Sequence, residues 1–155
     1  GTLSDFENIV FSTSANNVID AAIASTSVGN LGNSTPSDGY GTPESTTVAP
    51  VVGNNVKKYG RTTGFTKGRI TAINATVNVG YDSGVARFVN QIVIGPAGFS
   101  LGGDSGSLIV IDGKGKNKAD NLKPVGLLFA GSSQVTIANP IGAVLARFGV
   151  IIDGN

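Results

Sequence analysis

Short runs of β-branched and other apolar residues recur along the chain, separated by glycine and other turn residues. In residues 69–79, RITAINATVNV, apolar and polar side chains alternate, which is typical of a β-strand with one buried face. A series of short strands with turns between them predicts an all-β sandwich or barrel. The seven predicted strands span residues 17–25, 56–64, 68–81, 85–95, 107–113, 124–131 and 134–139. The alanines of the first run would suit a helix as well.

One helix is predicted near the end of the chain. Asn139 is its expected N-cap, Pro140 its first residue, and Gly149 its C-terminal stop. Between them, apolar residues recur at helical spacing and predict one face packed on the barrel. That face consists of Ile141, Val144, Leu145 and Phe148.

The predicted strands are unevenly distributed along the chain. Six of the seven lie after residue 50, which is enough to close a small barrel. Residues 1–50 hold one or two strands, and residues 27–50 form a connection rich in Ser, Thr, Gly and Pro. The chain therefore reads as one complete barrel at residues 51–155, preceded by a piece of another.

The composition narrows the functional classes. The chain has 155 residues, of which 40% are hydrophobic, and its net charge of +1 gives no reason to expect nucleic acid or an anionic membrane as a partner. No apolar run approaches the ~18 residues of a membrane-spanning helix. The chain contains neither cysteine nor histidine, which removes thiolate chemistry and the usual zinc ligands. A calcium site made of carboxylates alone stays open, but the sequence has no spaced Asp/Asn loop of the EF-hand kind, and we expect no metal and no other cofactor.

The most informative motif is Gly-Gly-Asp-Ser-Gly-Ser at residues 102–107, which runs straight into an apolar strand. Glycines permit a sharp turn, so Ser105 can stand at its apex. Backbone N–H groups around such a turn can converge on one point and stabilise an oxyanion. A plain turn between strands is the alternative, but this order of residues before an apolar strand favours a nucleophile.

This segment resembles the nucleophile loop of the trypsin/chymotrypsin-like serine proteases, whose hallmark is Gly-Asp-Ser-Gly. Residues 124–131, PVGLLFAG, are similar to the strand that walls the family's primary specificity pocket. Residues 20–24, DAAIA, resemble the motif whose aspartate orients the catalytic histidine. Residues 60–70, GRTTGFTKGRI, resemble the first hairpin of the second barrel in bacterial members. The likeness covers about residues 17–150.

The resemblance implies the second six-stranded antiparallel barrel of a double-barrel protease, with a short C-terminal helix, at residues 51–155. Residues 1–50 would be the end of the first barrel and the interdomain connection. The implied activity is hydrolysis of peptide bonds, with a peptide or protein as substrate. Bacterial members are commonly exported, which favours secretion, although the sequence itself leaves the compartment open.

The resemblance also assigns roles to individual residues. Ser105 would be the nucleophile, and the backbone N–H groups of Gly103 and Ser105 would form the oxyanion hole. Asp20 would hold the histidine in its working tautomer; its alternative role is that of a capping or solvated aspartate at a strand end. Asp104 would shape the loop, the alternative being an exposed aspartate in a turn.

The histidine of the family's triad is missing from this sequence. In the family the order is His, Asp, Ser, and the chain begins 19 residues before Asp20. We therefore expect the histidine on an upstream segment of the same protein, and no triad chemistry from this chain alone, because loss of that histidine costs on the order of 10⁶ in rate. A lysine base is disfavoured, since Lys57, Lys58 and Lys67 lie in the predicted hairpin region, where the family does not use them.

The residues expected around the substrate predict its class. The resemblance implies that Phe99, six residues before the nucleophile, lies near the base of the pocket, and the lack of an aspartate there argues against a Lys or Arg preference. Small residues follow Phe129 at Ala130 and Gly131, so we expect small or medium apolar side chains to bind. The substrate would add as a strand along Phe129–Gly131. The alternative for the whole chain is a catalytically silent barrel that serves as a binding or structural module.

Overall fold

The computed structural model of the protein describes residues 1–155 and is built around a closed antiparallel barrel of six strands. The order of the strands around the barrel is β3-β4-β5-β8-β7-β6. The prediction of a six-stranded barrel after residue 50, followed by a short helix, is confirmed. The strands are β1 Thr2–Phe6, β2 Ala22–Ser25, β3 Asn55–Gly60, β4 Gly64–Tyr81, β5 Gly84–Gly95, β6 Leu108–Ile111, β7 Pro124–Gly131 and β8 Thr136–Pro140.

The barrel interior is filled by aliphatic side chains from every strand of the barrel and by Phe99 from the connection between β5 and β6. This follows from the sequence, because alternate residues of a strand point to the same face and those positions are apolar here. β4 alternates between half-buried and exposed residues along most of its length, as the pattern of residues 69–79 predicts. The buried cluster comprises Val56, Ile70, Ile92, Ile94, Phe99, Ile109, Ile111, Val125, Leu128 and Ala138.

The strands β4 and β5 form a hairpin whose strands are longer than the other strands of the barrel. β4 has 18 residues and β5 has 12, and their pairing continues out to Tyr81 and Gly84. The register shifts between Ile70 and Val77, and Asn74 and Asn90 adopt positive φ in this part of the hairpin. Such bulges bend a ribbon and add twist. The hairpin thereby carries Tyr81 beyond the barrel wall.

The N-terminal residues lie against the barrel without joining it. β1 pairs only with β2, in a separate two-stranded sheet. The predicted strand at residues 17–25 is real only at Ala22–Ser25, because Asn17 makes an isolated bridge to Phe88 and the residues between do not pair. The connection that follows contains one 3-10 turn at Val28–Asn30 before β3. The assignment of residues 1–50 to a first barrel remains a prediction.

The C-terminal helix α1 spans Ile141–Phe148, one residue later than the predicted start. Ile141 and Val144 are buried beneath it, and Gly149 ends it in the left-handed conformation, as predicted. The prediction for Asn139 was wrong: this residue lies in β8, and no side chain caps the helix. Its side-chain amide is instead hydrogen bonded to the backbone of Asp20. None of the helices has the length and hydropathy that crossing a membrane requires.

Candidate active site

Ser105 lies in the turn that leads into β6, on the surface of the barrel. It is exposed, whereas Asp104 before it is completely buried. The glycines at 103 and 106 have φ of 99° and 86°, so the turn uses a conformation that other residues rarely adopt. The Ser105 hydroxyl donates a hydrogen bond of 3.3 Å to the carbonyl of Phe129 in β7. The loop therefore presents one hydroxyl at the barrel rim.

Asp104 fixes this loop to the hairpin between β3 and β4. One carboxylate oxygen accepts the N–H groups of Thr62 (2.8 Å) and Thr63 (3.1 Å). The other accepts the Thr63 hydroxyl at 2.7 Å and the N–H of Leu101 at 3.0 Å. This arrangement agrees with a structural role for Asp104 and excludes the exposed turn aspartate.

A buried lysine neutralises that carboxylate. The Lys58 ammonium is fully buried, 3.5 Å from Asp104, and donates to the Thr63 hydroxyl and the Gly64 carbonyl. Burial alone would raise the pKa of Asp104, but the hydrogen bonds from Leu101, Thr63 and Thr62 lower it well below its ordinary value. Burial lowers the pKa of Lys58, and Asp104 opposes that change. The Nζ of Lys58 is thus committed to holding the loop and does not reach Ser105.

Three backbone N–H groups of the motif at residues 102–107 have no acceptor within the protein, those of Gly102, Gly103 and Ser105. Gly103 and Ser105 donate to no backbone or side-chain oxygen, whereas Asp104 donates to Leu101 and Gly106 to Leu128. Free donors flanking a nucleophile are what an oxyanion hole requires. The N–H groups of Gly103 and Ser105 are therefore free to bind an oxyanion, the role that the resemblance implies for them.

A cavity of about 570 Å³ opens beside Ser105. Its volume is within the range of small-molecule and side-chain pockets. No charged side chain lines it; the walls combine hydroxyl groups with aliphatic and aromatic groups. The cavity is lined by Val79, Gly80, Tyr81, Ser100, Leu101, Gly102, Ser105, Leu128, Phe129, Ala130, Gly131, Ser132 and Ser133.

Three of the four residues expected to contact substrate line this cavity, and Phe99 does not. Phe99 is 2% exposed and packs in the barrel core, with the Lys58 ammonium 5.6 Å from its ring. The expectation that Phe99 lies at the pocket base is corrected, because its neighbour Ser100 faces the cavity instead. The Ser100 hydroxyl is hydrogen bonded to that of Thr136 at 2.5 Å.

Phe129, Ala130 and Gly131 form the end of β7 along the same cavity. On one side Ala130 and Gly131 pair with β8. On the other side the ladder with β6 ends at Leu127, so the last three residues have no strand partner there. An extended peptide can pair with a free strand edge of this kind.

Asp20 is held against the barrel by buried amide side chains. The Asn139 side chain, completely buried, donates to the Asp20 carbonyl at 2.9 Å and accepts the Asp20 N–H at 3.3 Å. Just upstream, Gln91 donates to the Val18 carbonyl at 2.7 Å, and Asn17 donates to the Arg87 carbonyl at 3.0 Å. These contacts place the backbone of residues 17–20 on β5 and β8.

The Asp20 carboxylate is connected to the cavity through one tyrosine. The Tyr81 hydroxyl donates to Oδ2 of Asp20 at 2.7 Å, while Oδ1 accepts no hydrogen bond from the chain. Because Tyr81 lines the cavity that Ser105 also lines, the structure brings Ser105 and Asp20 to the same region. No three side chains of the metal-binding types lie together anywhere in the molecule.

The family described as the Nal1 C-terminal domain matches residues 6–139, which is most of the chain. The chain belongs to this family. Its matched region includes both Asp20 and Ser105, and therefore the whole site described above. No curated protein sequence matches the chain.

Several solved structures similar to this family member are serine proteases. A glutamic-acid-specific serine protease is 25% identical, with a TM-score of 0.66, over 93% of this chain and 73% of that one. The chymotrypsin of Cellulomonas bogoriensis is 24% identical, with a TM-score of 0.69, over 94% and 75% of the two chains. A Nocardiopsis protease is 22% identical, with a TM-score of 0.62, over 91% and 71%. The chain has a trypsin/chymotrypsin-like fold.

Sequence reasoning missed the residues that hold Asp20 and its segment in place by hydrogen bonds. The sequence predicts Asn139 as the helix N-cap and Gln91 as one residue of the strand at 85–95. It predicts Tyr81 only as the last residue of the strand at 68–81. A buried amide in an apolar run, as in QIVIG at residues 91–95, is a signal that such a residue has a specific partner. The partner itself lies about 70–120 residues away and cannot be read from local sequence.

Proposed function

We propose that this chain is the nucleophile-bearing part of a serine endopeptidase. Ser105 is the nucleophile, the N–H groups of Gly103 and Ser105 bind the oxyanion, and Asp20 orients a histidine. The histidine comes from a segment upstream of residue 1 in the same protein. One observation carries the proposal. The exposed Ser105 lies beside unpaired backbone N–H groups on a cavity that Tyr81 also lines, and the Tyr81 hydroxyl is hydrogen bonded to Asp20.

The mechanism follows from this arrangement. The incoming imidazole takes the proton of the Ser105 hydroxyl as its oxygen attacks the substrate carbonyl. The carbonyl electron pair moves onto its oxygen, where the two N–H groups stabilise the negative charge. The imidazolium then gives its proton to the leaving amine as the peptide bond breaks, and water releases the acyl group by the same steps. Asp20 holds the imidazole orientation throughout.

Without the imidazole, the Ser105 hydroxyl has no base. In the chain it donates to the Phe129 carbonyl, and no other side chain that could accept its proton contacts it. We therefore propose that the isolated chain is inactive. This loss follows from the general rule that triad members act as a unit.

The first experiment is peptide hydrolysis by the protein that includes the upstream segment, with this chain alone and a Ser105→Ala variant as controls. We expect cleavage only by the longer protein with serine present. Failure of the longer, folded protein to cleave any peptide or ester would overturn the proposal and favour a binding module.

We propose that the substrate residue entering the cavity is small or medium-sized and uncharged. The support is the absence of any charged side chain in the lining, together with Val79, Leu101 and Leu128 on its walls. An extended substrate pairs with the free edge of Phe129–Gly131. Profiling of the longer protein on a peptide library should show this preference, and a dominant preference for Lys, Arg or Glu before the cleaved bond would contradict it.

A further inference from the structure

Tyr81 occupies a position in this site that neither the nucleophile loop nor its motif explains. It is the last residue of β4, where the long hairpin projects from the barrel and pairs Tyr81 with Gly84. Its ring is half-buried and packs against Phe11 of the N-terminal segment, at 5.7 Å between ring centroids and nearly perpendicular. The hairpin thus ends in contact with the segment that carries Asp20.

A row of aromatic rings fixes the Tyr81 side chain relative to the nucleophile. Phe88 lies 6.4 Å from Tyr81 and 4.9 Å from Phe129, measured between ring centroids. Phe129 in turn accepts the hydrogen bond from the Ser105 hydroxyl. The rings therefore form a continuous packed row from Tyr81 to Phe129, the residue whose carbonyl accepts the Ser105 hydroxyl.

The Tyr81 hydroxyl is protonated at neutral pH, so it donates its hydrogen bond to Asp20 and does not act as a base. Burial raises the pKa of Tyr81 well above its ordinary value, and the hydrogen bond to Asp20 raises it further. A protonated phenol at 2.7 Å from a carboxylate makes a strong, charge-assisted hydrogen bond. It is directed at Oδ2 alone, and Oδ1 has no partner in the chain.

We propose that Tyr81 is a positioning residue: its hydroxyl holds Oδ2 of Asp20, so that Oδ1 faces the incoming imidazole. This inference rests on the proposed function. Tyr81 also forms part of the cavity wall, so its ring and its hydroxyl have separable roles, the ring toward the substrate and the hydroxyl toward Asp20.

The test compares Tyr81→Phe with Tyr59→Phe in the protein that includes the upstream segment. Tyr59 is a matched control, because its hydroxyl also donates to an aspartate, Asp38, at 3.2 Å, but neither residue lines the cavity. We expect Tyr81→Phe to lower kcat on the order of 10-fold with KM changed less than twofold, since only the orientation of the base is lost. Tyr59→Phe should change neither.

The outcomes separate this inference from the proposed function. Unchanged kcat in Tyr81→Phe, or a change in KM alone, overturns the positioning role while the wild type remains an active protease. Absence of activity in the wild type overturns the proposed function itself. Melting temperatures of both variants close to that of the wild type show that the result is not loss of the fold.

A second measurement does not depend on activity. In the chain alone at pH 7, Asp20→Asn should shift the ring NMR signals of Tyr81, because its hydroxyl loses a charged acceptor, and leave those of Tyr59 in place. Asp38→Asn should shift the signals of Tyr59 and leave those of Tyr81 in place. Unchanged signals of Tyr81 in Asp20→Asn mean that the contact is absent and overturn the inference.

Discussion

At the scale of single residues, the conformation of the nucleophile loop is held by the buried ion pair of Asp104 and Lys58. Asp104 accepts four hydrogen bonds and faces Lys58, and both side chains are fully buried. Gly60 leaves the space for this carboxylate, since a Cβ there would overlap it. Breaking one partner of such a pair leaves the other charged and unpaired in the interior.

Asp104→Asn should therefore lower the free energy of unfolding at pH 7 by about 3–5 kcal/mol, measured by chemical denaturation. Because the pKa of Asp104 is lower in the folded state than its ordinary value, its contribution is fully present above about pH 5. It is lost as pH falls through the folded-state pKa, so the difference between wild type and variant should shrink below pH 4.

Asp120→Asn provides the control for this substitution. Asp120 pairs with Lys123 at 2.9 Å on the surface, where such a pair contributes at most about 1 kcal/mol. Equal destabilisation by the two substitutions, or a difference for Asp104→Asn that is independent of pH, would contradict the account.

Single residues also show where sequence reasoning succeeds and fails. Ser105 and Asp20 stand in local motifs, so they can be nominated from the sequence, and the structure brings both to one region. Phe99 was misplaced because a one-residue difference at the end of a turn decides which side chain faces a cavity and which faces the core. Tyr81 and Asn139 were missed because their partner, Asp20, lies 61 and 119 residues away.

At the scale of elements, the N-terminal segment is attached to the barrel by a few backbone hydrogen bonds to β5 and by side-chain amides, without a continuous strand ladder. This is why the predicted strand at residues 17–25 is shortened: its first half is held by Asn17, Gln91 and Asn139. The barrel strands were predictable because each is a short run of apolar and β-branched residues that is bounded by turn residues. The length of the β4–β5 hairpin was also visible, but its bend at Asn74 was not.

Asn139→Ala should release the backbone of Asp20, because it removes both a donor and an acceptor. We expect a loss of about 2 kcal/mol in the free energy of unfolding and faster amide hydrogen exchange at residues 18–22. Asn30→Ala, which removes only an exposed contact with Thr26, should change neither. Unaltered exchange at residues 18–22 would show that Asn139 does not anchor this segment.

The helix α1 offers a pair of opposite predictions. Gly149 has a φ of 63°, so Gly149→Ala should destabilise the protein by about 1 kcal/mol. Gly142 lies within the helix, with open space where a Cβ would be, so Gly142→Ala should stabilise it by about 0.5–1 kcal/mol. Thermal denaturation of both variants checks the signs, and two shifts of the same sign would contradict the helix boundaries.

At the scale of the whole molecule, the barrel is closed and β1 and β2 are not part of it. β1 is exposed along its whole length, and Leu3, Phe6, Val10 and Phe11 expose apolar surface around it. A two-stranded sheet is marginally stable by itself. These features support our proposal that an upstream segment of the protein supplies the histidine.

The most direct test of this central claim is intact mass spectrometry after reaction with a fluorophosphonate, followed by peptide mapping. We expect a single adduct on Ser105 in the protein that includes the upstream segment, and none in this chain alone or in Ser105→Ala. No adduct on the longer folded protein, or equal labelling of the isolated chain, would contradict it.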